Sequence, residues 1–210
     1  MKGFKIIAFD CDGVMFDTEK ANKAYYNDIL AFFGRPPMTA AQFAYAQMQT
    51  VDKSIEMLFP DPADYIKAQA YRKTNGYGPY IKYMEMDPDL VPLLEDLRAG
   101  CRTAVATNRT DTMKSVLEIH GIASYFDKVA TALDVKNPKP APDVLLCLMD
   151  YFAVKPHEML YIGDSTVDEA AARAAGVPFA ACRDPKLDAD YHINRLGEIR
   201  AIVNGIAHDG

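Results

Sequence analysis

The chain has 210 residues, of which 50% are hydrophobic and 25% are charged, and its formal net charge is -6. This length and composition predict a globular protein with enough apolar surface for a stable core, organised as one large domain or as a domain with an insertion. The negative balance argues against a nucleic-acid surface, which requires clustered Lys and Arg. The net negative charge does not exclude binding of a phosphorylated small molecule, because one metal ion and one lysine can make the electrostatic potential of a binding site positive.

The sequence predicts a cytoplasmic protein that is not bound to a membrane. Its first residues run directly into a strand pattern without a secretory segment, and no apolar stretch approaches the length of a membrane span. The four cysteines are far apart and have neither the spacing of a zinc site nor that of a compact disulfide framework. We therefore expect buried free thiols.

The first predicted element is the apolar run Ile6-Ile7-Ala8-Phe9, which is followed by Asp10-Cys11-Asp12-Gly13. A near-continuous apolar run is typical of a strand buried on both faces of a parallel sheet. Side chains alternate along an extended chain, so Asp10 and Asp12 are predicted to share one side of the strand's carboxyl end. Gly13 allows a sharp turn after them.

Residues 17–86 show helical patterns and contain no convincing strand. The apolar spacing and the turn residues predict helices over 18–34, 39–48, 51–59 and 62–74, followed by a short helical piece around Tyr80–Met84. Thr18, Thr39 and Thr50 are the predicted N-caps. This stretch interrupts an otherwise alternating pattern, so it is predicted to be an inserted all-α domain.

From residue 87 onward, strands and helices alternate. The predicted helices are 89–99, 111–120, 141–152, 166–175 and one from 195, and the predicted strands lie at 102–107, 126–130, 159–163, 178–182 and 191–193. Repeated strand–helix units predict an α/β fold with a central parallel sheet between helical layers, a Rossmann-like three-layer core. The core comprises residues 1–16 and 87–210, and the insertion comprises 17–86.

Ligands of open α/β sheets bind beyond the carboxyl ends of the strands. The residues at those strand ends are Asp10 to Asp12, Thr107 to Arg109, and Gly163 to Ser165. Lys139, which has a proline on each side, lies at the start of the predicted helix that precedes the strand ending at Gly163. Converging carboxylates repel one another unless a cation lies between them, and an all-oxygen ligand set favours Mg²⁺.

These groups have the chemistry needed for phosphoryl transfer. Asp10 and Asp164 are the predicted direct metal ligands, supported by Asp168 one helical turn later. The Thr107 hydroxyl and the backbone N–H groups around Asn108 are predicted to bind phosphate oxygens, and Lys139 to supply a fixed positive charge. An in-line aspartate can attack phosphorus to form an aspartyl-phosphate, while Asp12 transfers protons.

Four motifs in this order, Asp-Cys-Asp-Gly-Val, Thr-Asn, Lys-Pro-Ala-Pro-Asp and Gly-Asp-Ser-Thr-Val-Asp, resemble the haloacid dehalogenase superfamily of Mg²⁺-dependent phosphohydrolases. The resemblance implies that Asp10 is the nucleophile and that Asp12 is the acid/base and a metal ligand through its backbone carbonyl. It also implies phosphate binding by Thr107 and Lys139, and metal binding by Asp164 with the support of Asp168. Residues 17–86 are similar to a mobile helical cap that carries substrate selectivity.

Three alternatives to phosphate-ester hydrolysis are dehalogenation, phosphosugar mutation and binding without catalysis. Dehalogenation uses neither a metal nor a second Asp, so Asp12 and Asp164 favour phosphoryl transfer. Phosphosugar mutases of the β-phosphoglucomutase type place a histidine shortly after the first motif, where this chain has Asn22, and a Gly and an Arg in a cap loop that corresponds here to residues 47–53 and has neither. A catalytically silent binding protein would not require the complete motif set.

We therefore predict a phosphoglycolate-phosphatase-like hydrolase of a small phosphorylated metabolite. We predict a monomer or homodimer without nucleic-acid or membrane partners.

Three further residues have competing interpretations. Lys136 is an alternative to Lys139 for binding phosphate, but it lacks the proline frame of Lys139 and is interpreted as a solvated surface lysine. Arg109 is predicted either to contact substrate or to be an exposed residue at a helix start. Asp17 follows the first motif closely and is interpreted as a cap of the next helix instead of a ligand.

Overall fold

The computed structural model describes residues 3–47 and 50–205. Residue 48 of the second predicted helix and residues 48–49 of the predicted cap loop lie outside the described residues, as do the two ends of the predicted core. The chain divides into two compact units. One is formed by the described residues up to Asp17 together with those from Glu85 onward, and the other by the described residues between Thr18 and Met84.

Among the described residues, six parallel strands form the central sheet of the first unit. These strands are β1 (Ile6–Phe9), β4 (Arg102–Ala106), β5 (Lys128–Ala130), β6 (Met159–Gly163), β7 (Phe179–Cys182) and β8 (Tyr191–Ile193). Their order across the sheet is β5-β4-β1-β6-β7-β8. The helices that flank the sheet are α5 (Leu90–Leu97), α6 (Met113–Ile119), α7 (Asp143–Phe152), α8 (Thr166–Ala175) and α9 (Ile199–Val203). The predicted α/β fold with a Rossmann-like core is confirmed.

Strand β1 occupies a central position because its side chains are apolar on both faces. All four of its residues are at most 2% exposed. It pairs with β4 on one side and β6 on the other, and Phe9 lies opposite both Val105 and Ile162. This register brings the carboxyl ends of the three strands to one edge, so the residues that follow them meet there.

The helices of the core have the apolar faces that the sequence predicts. In α5 the buried residues recur every three or four positions, at Leu90, Leu93, Leu94 and Leu97. Helix α8 begins and ends at the predicted residues and stops at Gly176, whose φ of +68° is the left-handed conformation that glycine adopts without strain.

The expectation of no strand within residues 17–86 is wrong at both ends of that stretch. Strands β2 (Phe16–Asp17) and β3 (Glu85–Met86) form an antiparallel ribbon at the points where the chain leaves the core and returns to it. Asp17 is therefore a strand residue. Two-residue strands are too short to produce a periodic pattern, so the sequence carries no signal for this ribbon.

The second unit is helical. It contains α1 (Glu19–Phe32), α2 (Ala40–Gln47), α3 (Val51–Leu58), α4 (Pro62–Asn75) and a 3₁₀ helix (Gly78–Tyr83). Thr50 caps α3 by accepting from the Lys53 backbone N–H at 3.4 Å. Thr18 precedes α1 but accepts from the side chain of Asn22 instead of from a backbone N–H, so the predicted cap is absent.

The four cysteines are free thiols: Cys11 and Cys182 are buried, and Cys101 and Cys147 are half-buried. No helix within the described part of the chain is both long enough and apolar enough to span a bilayer.

Candidate active site

Polar residues converge at the carboxyl edge of the sheet, as the strand order predicts. Asp10 follows β1, Thr107 follows β4 and Asp164 follows β6. Lys139 comes from the loop before α7, and Asp168 lies in the first turn of α8.

Three carboxylates form a compact acidic cluster. Asp10, Asp164 and Asp168 each offer an oxygen within 4.8 Å of the others. Asp10 and Asp168 are buried and Asp164 is half-buried. A set of carboxylate oxygens at this spacing fits a hard divalent cation. The carboxylate of Asp12 is not part of this cluster, and the contribution of its backbone carbonyl to a metal site stays a prediction.

Lys139 neutralises part of this charge from the interior. Its ammonium group donates to Asp10 Oδ1 at 2.7 Å, to Asp168 Oδ1 at 2.6 Å and to the hydroxyl of Tyr161 at 2.8 Å. The side chain is only 2% exposed. Burial alone would lower the pKa of Lys139, but the two carboxylates raise it above its ordinary value, so the ammonium stays charged.

The acids respond differently to this environment. Burial raises the pKa of Asp10 to about 7; Lys139 opposes the rise, while Asp168 and Asp12 add to it. Burial and the charge of Asp168 raise the pKa of Asp164 to about 7. Burial would also raise the pKa of Asp168, but Lys139 and the hydrogen bonds to its carboxylate hold it below its usual value. The charged form of Asp168 is therefore favoured.

Both carboxylate oxygens of Asp168 accept hydrogen bonds from other residues of the protein. Oδ1 accepts from Lys139 and from the Tyr161 hydroxyl at 2.6 Å. Oδ2 accepts from the Ser165 backbone N–H at 3.2 Å and from the Ser165 hydroxyl. These hydrogen bonds cap α8 and hold Lys139 in place, so Asp168 supports the cluster. The carboxylate oxygens of Asp10 and Asp164 accept fewer hydrogen bonds from the protein.

The loop after β4 is fixed to the lysine loop. The Asn108 side chain donates to the Lys139 carbonyl and accepts from the Lys139 backbone N–H, both at 2.8 Å. Thr107 is 1% exposed, and its hydroxyl accepts from the Arg109 backbone N–H at 3.1 Å. The side chain of Asn108 thus positions Lys139, while the backbone N–H groups of Thr107 and Arg109 donate to the Ala130 carbonyl and the Thr107 hydroxyl.

The Asp12 carboxylate lies outside the cluster and pairs with Arg109. The Arg109 guanidinium donates through Nε to Asp12 Oδ2 at 2.8 Å and through Nη2 to Asp12 Oδ1 at 2.7 Å. The Arg109 side chain is only 11% exposed, so its interpretation as an exposed residue at a helix start is wrong. Lys136, by contrast, is exposed as predicted.

Two residues that support the site were missed in the sequence. Tyr161 lies inside an apolar strand and is fully buried, and its hydroxyl bridges Lys139 and Asp168. A buried tyrosine requires a partner for its hydroxyl, so the signal was present. Arg183 donates to the Gly13 carbonyl at 2.9 Å and pairs with Asp87. These partners lie 170 and 96 positions away in the sequence, so no local pattern predicts the contacts.

Comparison with known proteins places this site in a family. The sequence profile described as "Haloacid dehalogenase-like hydrolase" matches residues 7–182. The chain belongs to that family. The matched range contains the acidic cluster, Lys139 and the loop after β4, so the site lies in the part of the chain that defines the hydrolase family.

Individual relatives of this hydrolase agree with that assignment. A phosphoglycolate phosphatase of Vibrio vulnificus is 30% identical over 82% of this chain and 80% of its own length. The pyrophosphatase PpaX of Bacillus velezensis is 28% identical over 83% of this chain and 81% of its own length. A solved hydrolase of the superfamily from Geobacter sulfurreducens has a TM-score of 0.88 and 35% identity, covering 95% of this chain and 96% of that one. The prediction of an enzyme, a phosphatase of this superfamily, is confirmed.

Proposed function

We propose that this hydrolase is a Mg²⁺-dependent phosphatase of a small phosphomonoester that works through an aspartyl-phosphate on Asp10. The observation that carries the proposal is the acidic cluster of Asp10, Asp164 and Asp168, with Lys139 buried against two of its members at the carboxyl edge of the sheet. When bound by Asp10, Asp164 and the Asp12 carbonyl, Mg²⁺ supplies positive charge that orients the phosphoryl oxygens.

The residues of the chain divide the reaction into two steps. In the first, a carboxylate oxygen of Asp10 forms a bond to phosphorus, the bond to the ester oxygen breaks, and Asp12 gives the leaving alcohol a proton. In the second, water attacks the phosphorus atom, Asp12 takes its proton, and Asp10 returns to a carboxylate. Lys139, the Thr107 hydroxyl and the backbone N–H groups around Asn108 hold the phosphoryl oxygens in both steps.

The helical unit is proposed to be a lid that excludes water and sets substrate selectivity. Within that unit the position of Asn22 favours hydrolysis over a mutase reaction. Its side chain accepts from the Tyr77 hydroxyl at 2.6 Å and donates to Thr18 at 3.2 Å. A side-chain amide held in this way cannot exchange protons with a sugar as a histidine can.

The substrate is proposed to be a free phosphorylated metabolite in the cytoplasm, handled by a monomer or homodimer without nucleic-acid or membrane partners. The test is phosphate release from a panel of phosphate esters, with phosphoglycolate and pyrophosphate included because relatives are named for them. We expect release with Mg²⁺ and none with EDTA. Equal activity in EDTA would exclude the metal, inactivity on the whole panel would exclude a phosphatase, and an isomeric sugar phosphate as product would indicate a mutase.

Replacing Gly13 by alanine is expected to disable the metal site. Gly13 has a φ of +74°, and a Cβ there would lie 1.8 Å from Asp164 Oδ2. Asp164 must therefore move, and we expect Mg²⁺ affinity measured by titration to fall about 10- to 100-fold. Gly121→Ala is the matched control because Gly121 has a φ of +70° and a Cβ there would meet no atom within 4 Å. Similar losses of affinity in both variants would contradict the role given to the contact with Asp164.

The binding of Mg²⁺ is expected to depend on pH. The pKa values of Asp10 and Asp164 are raised from 3.8 to about 7 in the folded protein, so Mg²⁺ must displace protons below neutral pH and its affinity falls there. At pH values between 3.8 and about 7, the metal-free native state binds more protons than the unfolded state does. Its free energy of unfolding therefore decreases as pH rises through this window. Thermal melts should show greater Mg²⁺ stabilisation at about pH 8 than at about pH 5. Equal stabilisation at both would contradict this account.

A further inference from the structure

The ion pair between Arg109 and Asp12 has a geometry that conflicts with proton transfer. Both Asp12 oxygens accept from guanidinium N–H groups, at 2.7 and 2.8 Å. A proton on either oxygen would point toward a group that is itself a donor, because guanidinium has no acceptor. Asp12 can therefore neither carry nor deliver a proton while both contacts are made.

Arg109 is held where it can take another anion. Its backbone N–H donates to the Thr107 hydroxyl at 3.1 Å, and its Nη1 donates to the Thr112 hydroxyl at 3.3 Å. The Asp12 side chain is 40% exposed, against 11% for Arg109, so the carboxylate is the partner with more room to leave. The other cation of the site, Lys139, pairs with Asp10 and Asp168 and is assigned to the transferred phosphoryl group, so it does not serve a second anion.

We propose that Arg109 is a latch on Asp12 and that a second anionic group of the substrate opens it. The proposal rests on the proposed phosphatase function and defines its substrate class: phosphate compounds with a carboxylate or a second phosphate close to the phosphoryl group that is transferred. Guanidinium binds either anion with two parallel hydrogen bonds, so the incoming group takes the place of the Asp12 carboxylate and keeps the guanidinium paired. Asp12, released as a carboxylate, then takes a proton from solvent and gives it to the leaving oxygen.

A matched substrate pair tests the latch. Phosphoglycolate carries a carboxylate, and the phosphate ester of glycolamide has the same shape without the charge. We expect wild-type kcat to be about 10- to 100-fold higher for the acid than for the amide, the factor expected for one charge-assisted interaction. In Arg109→Gln this ratio should fall to about 3 or less, and Arg109→Lys should retain part of it because ammonium makes a single contact. Arg102→Gln, which removes an exposed arginine paired with Asp127, should keep the wild-type ratio.

Each outcome of this experiment is decisive. A preference that appears in KM alone would show that Arg109 anchors the anion without controlling Asp12, and it would overturn the latch. An equal kcat for acid and amide in the wild-type enzyme would overturn both the latch and the substrate class while leaving the phosphatase function intact. Release of no phosphate from either compound or from the wider ester panel would instead refute the proposed function. If Arg109→Gln fails to fold, the intermediate ratio expected of Arg109→Lys carries the test.

Discussion

In Asp10→Asn, kcat is expected to fall by about four orders of magnitude or more, because an amide cannot act as the nucleophile. The variant is expected to remain folded. The fold should survive because Lys139 keeps Asp168 as its counter-charge and the asparagine carbonyl can still accept from it. Asp10 is also the member of the Lys139 pair whose pKa is raised to about 7, so a neutral group already suits the position. We expect the free energy of unfolding without metal to change by less than about 1 kcal/mol.

Phosphate release and chemical denaturation measure the two halves of this prediction. Asp188→Asn is the control, because that carboxylate is 83% exposed and pairs with Arg173 on the surface. Its activity should equal that of the wild type. Residual turnover of Asp10→Asn within about tenfold of the wild type would remove Asp10 from the nucleophile role.

Lys139→Met is expected to damage both activity and stability. The substitution leaves Asp10 and Asp168 buried without their shared cation, and breaking a buried ion pair from one side costs about 3–5 kcal/mol. Loss of Lys139 also raises the pKa of both carboxyls, so the variant should recover stability as pH falls and they become protonated. Mg²⁺ should restore part of the lost stability at neutral pH, because it supplies positive charge to the same acids.

Denaturation curves with and without Mg²⁺ at several pH values check this result. Lys136→Met is the control, since it removes an exposed lysine from the same loop. It should leave stability and phosphate binding unchanged. If Lys139→Met were as stable as Lys136→Met at neutral pH, the buried charge network would not have the energetic role assigned to it.

The sequence was sufficient to predict the central sheet and the residues at its edge because both arise from local patterns. The apolar run of β1 marks a buried central strand, and parallel pairing brings Asp10, Thr107 and Asp164 to one edge. Helix caps and turn residues defined most boundaries, and α8 was predicted to the residue.

The features that the sequence did not reveal depend on contacts between distant segments. The bidentate pair of Arg109 and Asp12 joins residues 97 positions apart, and the Arg183 contact with Gly13 spans 170. Alternation along an extended chain placed Asp10 and Asp12 on one side, but the strand ends at Phe9, so that rule does not apply to the turn. The two carboxylates accordingly meet different cations.

The most direct test of the account is to isolate the phosphorylated enzyme in Asp12→Asn. An aryl phosphate whose leaving group needs no proton should still phosphorylate Asp10, while the second step stalls without a base. Acid quenching and peptide mass spectrometry are predicted to find one phosphoryl group on Asp10, removable by hydroxylamine, at close to one per enzyme. Release of aryl alcohol and phosphate in equal amounts from the first turnover, with no phosphoryl group on the protein, would contradict the account.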